Sequence, residues 1–169
     1  MEKVYTRITG SVDEEMLDKF IRLKDNANIE KENICIFESD GGTAWIGEKI
    51  VKIINSIPNF TLSAGCDISS CGFYIFFHSK CRKEVSEQTR GMIHIGSFSS
   101  SINHISIKKP RGSTNSTLEN IKIFGKKELK FYKKDLWISK KLRDMFSKDY
   151  EVYFSAKQMK KMVNHQKNI

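Results

Sequence analysis

Two adjacent serines, Ser69 and Ser70, lie in the stretch GCDISSCGFYIFF. The β-prone run before them predicts a strand, and the apolar segment after them predicts a buried helix over Ser70–Phe77. A serine at the start of a helix caps the backbone or acts as a nucleophile. The second role is chemically favourable there because the positive end of the helix dipole stabilises an alkoxide and a negative tetrahedral intermediate.

A serine nucleophile needs partners, because its hydroxyl is too weakly acidic to attack an amide unaided. A histidine must accept the proton, and a carboxylate should orient that histidine. His94, in MIHIG, is the candidate base, although a histidine between isoleucines also suits a packed core. Gly41 and Gly42 follow a predicted strand, where they form either a simple turn or a pair of N–H donors for an oxyanion.

A zinc site is the alternative use of the cysteines. Cys66, Cys71, His78 and Cys81 lie within sixteen residues of each other, and thiolates with imidazole bind zinc. Their spacings contain no Cys-x-x-Cys pair, and Cys71 and His78 would share one buried helix. We therefore expect no metal ion and no cofactor.

Strands and helices alternate in the predicted order of elements. These elements are a strand Tyr5–Thr9, a helix capped by Asp13, a strand Ile34–Glu38, a helix with Ile46, Ile50, Ile53 and Ile54 on one face, a strand over 60–68, the helix at Ser70, and a strand around Met92–Ile95. Such alternation predicts an α/β fold, in which repeated right-handed βαβ units form a mostly parallel sheet flanked by helices.

The C-terminal half is predicted to be more helical. After a polar stretch over residues 97–116, amphipathic helices are expected at about 117–134 and 136–147. The segment YFSAKQMKKM predicts the end of a strand followed by a capped helix. A chain of 169 residues suits a single domain.

Composition and charge narrow the class of protein. No apolar run approaches the ~20 residues that span a bilayer, and the opening MEKVYTRITG lacks the apolar core of a signal peptide. We expect a cytoplasmic protein whose four cysteines remain thiols.

Residues 120–169 hold 14 Lys and Arg against 5 Asp and Glu, which accounts for the whole net charge of +9. Such a run marks either an anionic partner or, more commonly, a solvated helix face, so we do not expect nucleic acid as a partner.

Four motifs, in this order, resemble the proteolytic subunit of the Clp protease, a serine peptidase family of the crotonase-like superfamily. They are ITGSVDEEML, IFESDGGTAWIG, PNFTLSAGCDISSCGFYIFF with RGMIHIG, and EVYFSAKQMKKM. The resemblance implies the crotonase-like ClpP fold over residues 1–169. Its core would comprise about 1–96 and 148–163, and a handle-like helical segment would comprise about 112–147.

The same resemblance implies a serine endopeptidase and a role for each site residue. Ser70 aligns with the nucleophile, His94 with the general base and Glu151 with the acid that orients the histidine. The backbone N–H groups of Gly42 and Cys71 align with the oxyanion hole.

Two positions have rivals. Cys66 stands where the family has a glycine four residues before the serine, whereas Gly65 is four residues before Ser69, so a slip of one residue would make Ser69 the nucleophile. Asp149 is the rival of Glu151 for the acid.

The resemblance also implies partners. Peptides or unfolded proteins would be the substrates, and the chain would assemble with itself into a ring-like homo-oligomer. The short N-terminal arm argues against docking of an AAA+ unfoldase, and no membrane partner is expected.

Two other functions stay open. One is an inactive ClpP-like protein that acts as a binding or assembly module through its basic C-terminal third. The other is acyl-CoA chemistry, although no acidic residue immediately follows the Gly-Gly pair to act as its base.

Overall fold

Strands and helices alternate in the computed structural model, which describes residues 2–94, 98–100, 103–105, 126–148 and 151–167. Its N-terminal part follows the predicted order, except for one strand, Arg82–Val85, that was not predicted. The elements are β1 (Lys3–Thr9), α1 (Glu14–Asp25), β2 (Glu32–Ser39), α2 (Ala44–Ile54), β3 (Phe60–Ser69), α3 (Cys71–His78), β4 (Arg82–Val85) and β5 (Arg90–Ile93).

The C-terminal part adds three strands and three helices. They are β6 (Phe98–Ser100), β7 (Asn103–Ile105), α4 (described over residues 126–134), α5 (Lys140–Ser147), β8 (Val152–Ser155) and α6 (Ala156–Gln166). Contacts divide the chain into two compact units. The first comprises Met1–Met92 with Tyr153–Asn164, and the second comprises Ile93–Val152 with His165–Ile169.

The main sheet is built around β3. Its order is β1-β2-β3-β5-β8, and β4 also pairs with β3. The pairs β1–β2, β2–β3, β3–β4 and β3–β5 are all parallel. The ten residues of β3 are long enough to pair with β4 through Thr61–Ala64 and with β5 through Asp67–Ser69. The predicted α/β fold with a mostly parallel sheet flanked by helices is confirmed.

Helix α1 begins and packs as its sequence predicts. The Asp13 carboxylate accepts a hydrogen bond from the Met16 N–H at 2.9 Å, which satisfies one of the backbone donors at the helix start. Met16, Leu17 and Phe20 form the buried face of the helix. Phe20 meets Phe37 of β2 edge to face, with ring centroids 5.9 Å apart. This contact fastens α1 to the strand that leads to the Gly-Gly pair.

Helix α3 is mostly apolar because it lies in the core. Six of its eight residues are buried. Phe73 packs against Phe77 at 4.5 Å and against Phe154 of β8 at 5.5 Å between ring centroids. The helix that begins directly after Ser70 is therefore held by aromatic packing along its length.

Helix α6 begins with the predicted cap. The Gln158 Oε1 accepts from the Ser155 N–H at 2.9 Å, and the Ser155 Oγ accepts from the Gln158 N–H at 3.4 Å. These reciprocal bonds form a capping box, which two residues three apart in sequence can make by themselves.

Two predicted boundaries were wrong, and one pair of short strands was not predicted. The strand expected at Met92–Ile95 is Arg90–Ile93. The helix expected from 136 begins at Lys140, because Ser139 caps it there and Trp137 has a φ of 52° that no α-helix permits. The polar stretch 97–116 contains a short antiparallel pair, β6–β7. Its other residues, and residues 117–125 of the helix expected before α4, lie outside the described part of the chain.

Within the described residues, no helix combines the length and the apolar character needed to cross a membrane.

We predict that the cysteines differ sharply in reactivity. Cys35 lies fully buried on β2, and burial raises the pKa of its thiol to about 12, so only about 10⁻⁴ of it is thiolate at pH 8. Burial likewise raises the pKa of Cys81. Cys66 is exposed. We expect dithionitrobenzoate at pH 8 to modify Cys66 first and Cys35 only after unfolding in urea, as peptide mapping would show. Cys66→Ser should remove the fast phase, and modification of Cys35 in the folded protein at a comparable rate would contradict this account.

Candidate active site

Ser70 occupies a strained turn between a strand and a helix. Strand β3 ends one residue before it and α3 begins one residue after it, while Ser70 itself has φ 52° and ψ −119°. A residue with a side chain adopts such angles at a cost of roughly 1–3 kcal/mol. The surrounding backbone holds it there: the Ser70 N–H donates to the Met92 carbonyl at 2.8 Å, and the Ser70 carbonyl accepts from the Tyr74 N–H at 3.1 Å. The side chain makes no capping hydrogen bond to α3.

The Gly-Gly pair lies directly against this turn. Gly41 and Gly42 have φ values of +113° and +143°, which residues with side chains rarely adopt. A Cβ atom on Gly41 would lie 2.6 Å from the Cβ and 2.9 Å from the Oγ of Ser70. Only a residue without a side chain fits here, so the loop after β2 approaches the Ser70 hydroxyl with bare backbone.

The loop is held by Val12, which precedes Asp13, the N-cap of α1. The Val12 N–H donates to the Gly41 carbonyl at 2.7 Å, and the Val12 carbonyl accepts from the Thr43 N–H at 2.8 Å. In this parallel bridge the N–H and C=O of Gly42 itself face away from Val12. The Gly42 N–H makes no hydrogen bond among the described residues, so it remains available to an added acceptor. The Ser39 hydroxyl accepts from the Gly41 N–H at 3.1 Å and braces the loop from the other side.

Cys71 provides the first amide of α3, in the position that the helix dipole makes most positive. Its nitrogen lies 3.3 Å from the Cβ position of Gly41, which brings the amide beside the Gly-Gly loop. Its buried Sγ lies 3.6 Å from the Thr43 carbonyl and 2.4 Å from the Cβ position of Gly47 on α2. Helices α2 and α3 therefore touch through backbone and sulfur, and a larger residue at Gly47 would separate them.

Ser69 is committed to a different contact. It is the last residue of β3 and pairs with Met92 of β5. Its hydroxyl donates a hydrogen bond to the carboxylate of Asp67. Asp67 is exposed, whereas Ser69 itself is only 7% accessible to solvent. The two adjacent serines thus have different surroundings.

Glu38 of β2 shapes the end of β3 and was missed by sequence reasoning. The pairing of β2 with β3 shifts between Phe37 and Ser39, so that three residues of β3 lie opposite Glu38 alone. The Glu38 carboxylate fills this irregularity and accepts from the Cys66 N–H at 3.2 Å. Gly65 leaves room for it, because a Cβ at this position would clash with the Glu38 side chain and displace it. Such bulges redirect a strand next to a site. A charged residue at the end of an otherwise apolar strand was the available signal.

His94 and Glu151 belong to the second unit of the chain. His94 follows the end of β5 and is half-buried, and Glu151 is exposed immediately before β8. Asp149 lies outside the described residues. The structure therefore brings together Ser70, the Gly-Gly loop and the Cys71 amide, while the assignments of the base and the acid stay predictions. In the described part of the chain, no three His, Cys, Asp or Glu residues are grouped so that they could hold a metal ion.

Comparison with solved structures identifies the fold. A point variant of ClpP1 from Listeria monocytogenes superimposes with a TM-score of 0.66 and 18% sequence identity, over 94% of this chain and 86% of that one. This chain has the ClpP fold. ClpP1 itself gives a TM-score of 0.63 with the same identity and coverage. A variant of the 1510-N membrane-bound stomatin-specific protease gives 0.61 at 18% identity, over 96% of this chain and 77% of that one. No protein family profile and no curated protein sequence matches the chain.

We predict that Gly41→Ala destabilises the protein more than Gly10→Ala. Both glycines have φ above +110°, but nothing lies within 4 Å of a Cβ on Gly10, whereas a Cβ on Gly41 meets Ser70. Gly10→Ala should lower the free energy of unfolding by about 1–2 kcal/mol through backbone strain alone. Gly41→Ala should cost about 1–3 kcal/mol more through overpacking. Urea denaturation followed by circular dichroism measures both, and equal losses would contradict the close approach of Gly41 to Ser70.

Proposed function

We propose that the protein is a serine endopeptidase that uses Ser70 as nucleophile, His94 as general base and Glu151 as the acid that orients the histidine. The observation that carries the proposal is the strained turn at Ser70, with bare Gly41 backbone against its side chain. A serine on a sharp turn from strand to helix exposes its Oγ at the end of a sheet, and this arrangement recurs in serine hydrolases. The ClpP fold of the chain agrees with this reaction class but does not by itself establish it.

In the proposed reaction each catalytic group acts first in acylation of Ser70 and then in deacylation. The Ser70 Oγ attacks the peptide carbonyl carbon while its proton passes to the His94 imidazole, and the carbonyl oxygen becomes an oxyanion. The intermediate then collapses, the C–N bond breaks, and the imidazolium gives its proton to the leaving amine. Water hydrolyses the acyl-enzyme by the same steps, with His94 again accepting and returning a proton.

The amides of Gly42 and Cys71 are the proposed oxyanion donors. The Gly42 N–H has no acceptor among the described residues, and the Gly41 carbonyl and Thr43 N–H on either side of it are both bonded to Val12, which supports its role as an oxyanion donor. The Cys71 amide adds the positive end of α3. Loss of one such donor typically slows catalysis by about 10²–10³.

Two observations favour Ser70 over Ser69. Ser69 is the last residue of β3, and its hydroxyl already donates to Asp67. Ser70 has the positive φ, and its N–H donates to the carbonyl of Met92 on β5. The peptide substrate and the ring-like self-assembly remain predictions from the resemblance.

The experiment is labelling with a fluorophosphonate, followed by intact mass. We expect one adduct per chain on the wild-type protein, because a fluorophosphonate reacts with a serine that a base has activated. The adduct should be lost in Ser70→Ala and His94→Ala, be retained in Ser69→Ala, and form orders of magnitude more slowly in Glu151→Gln. Circular dichroism confirms that each variant is folded.

Ser69→Ala is the matched control, since it removes the neighbouring hydroxyl and leaves the turn intact. Loss of the adduct only in Ser69→Ala would move the nucleophile by one residue. No adduct on the folded wild-type protein would reject the peptidase and favour an inactive ClpP-like binding module.

A further inference from the structure

The second unit carries a face of lysines on α4. Lys126, Lys127, Lys130, Lys133 and Lys134 are all exposed. At 100° per residue their positions fall within an arc of about 120°, so they form one side of the helix. No acidic residue lies on this arc. The one acid within the described part of α4, Glu128, is 3% exposed and lies on the buried side.

These lysines are not neutralised by neighbours. Among the described residues, none of the five forms an ion pair. Lys140 and Lys141 at the start of α5 and Lys148 just after its end are exposed as well. The segment 126–148 thus holds nine Lys and Arg residues against three acids, Glu128, Asp135 and Asp144.

An exposed tryptophan lies between the two helices. Trp137 is 75% accessible, the highest value of any large hydrophobic residue described, and it has a φ of 52°. Its ring stacks on His165, with 6.0 Å between centroids and 24° between planes. The His165 Nε2 lies 3.2 Å from the Lys134 carbonyl, which links this aromatic pair to the end of the lysine face. Leu136 and Ile138, on either side of Trp137, are buried.

We propose that the lysine face of α4 and the ring of Trp137 bind single-stranded nucleic acid. Lysines on one face track consecutive phosphates, and an exposed aromatic ring stacks an unpaired base. A tryptophan held by buried neighbours and already stacked on a histidine offers a rigid surface for such a base. The sequence favours a solvated face for these lysines. The structure adds an exposed aromatic ring, Trp137, beside them.

Two other partners fit less well. A membrane surface would need an apolar helix face to insert, but Tyr132, Leu136 and Ile138 are buried, so Trp137 alone would enter the lipid. In a two-fold contact of this face with itself, a second copy of the chain would bring its own lysines against it, and like charges repel.

The test is fluorescence anisotropy of a labelled 12-nucleotide oligodeoxythymidylate titrated with the full chain. If about four phosphates are contacted, the logarithm of the binding constant should fall with the logarithm of salt concentration at a slope of about −3. The triple variant Lys130→Gln, Lys133→Gln, Lys134→Gln should flatten this slope by about 2 and weaken binding at least tenfold. Trp137→Ala should weaken binding by about 10- to 100-fold.

A second triple variant, Lys52→Gln, Lys157→Gln, Lys161→Gln, is the matched control. It removes the same charge from exposed lysines of α2 and α6 and should leave affinity and slope nearly unchanged. In a Trp45→Phe background, Trp137 is the single tryptophan, and its fluorescence should be quenched by the oligonucleotide.

The proposal is overturned if the folded protein does not bind the oligonucleotide, or if both triple variants lose affinity equally. It is also overturned if vesicles of phosphatidylserine and phosphatidylcholine bind the chain and quench Trp137 while the oligonucleotide does not. None of these results depends on whether Ser70 forms an adduct, so the two proposals fail separately.

Discussion

The contact between Gly41 and Ser70 is the constraint on which the rest of the first unit depends. The two residues belong to loops that follow different strands, and they lie so close that no side chain fits between them. To reach this position, Ser70 adopts a strained turn and Gly41 a φ that favours glycine. Such strain persists only where the surrounding structure outweighs it. Here the compensation comes from the buried aromatic helix α3 behind Ser70 and from the bridge between Val12 and Gly42.

The same constraint explains why polar groups cluster at this end of the sheet. Backbone that leaves the regular ladder needs new hydrogen-bond partners, because an unsatisfied buried group is costly. The Ser39 hydroxyl supplies one to Gly41, and the Glu38 carboxylate supplies one to Cys66. The residues around the candidate nucleophile are thus bound to one another rather than to solvent, which favours a rigid, preorganised site.

Much of this could be predicted from sequence because its causes are local. The Asp13 cap, the apolar stripe of α2 and the continuous apolar run of α3 act within one or two helical turns. The irregular pairing opposite Glu38 could not be predicted, since it depends on how two strands distant in sequence align. The start of α5 was missed for a related reason: buried neighbours override helical periodicity around Trp137.

The most direct test of the central claim is a crystal structure of the phosphonylated protein. The account predicts phosphorus bonded to the Ser70 Oγ, with a phosphonyl oxygen about 2.7–3.1 Å from the nitrogens of Gly42 and Cys71. Phosphorus on another residue, or an oxygen that points away from both amides, would contradict the assignment of this turn as the catalytic centre.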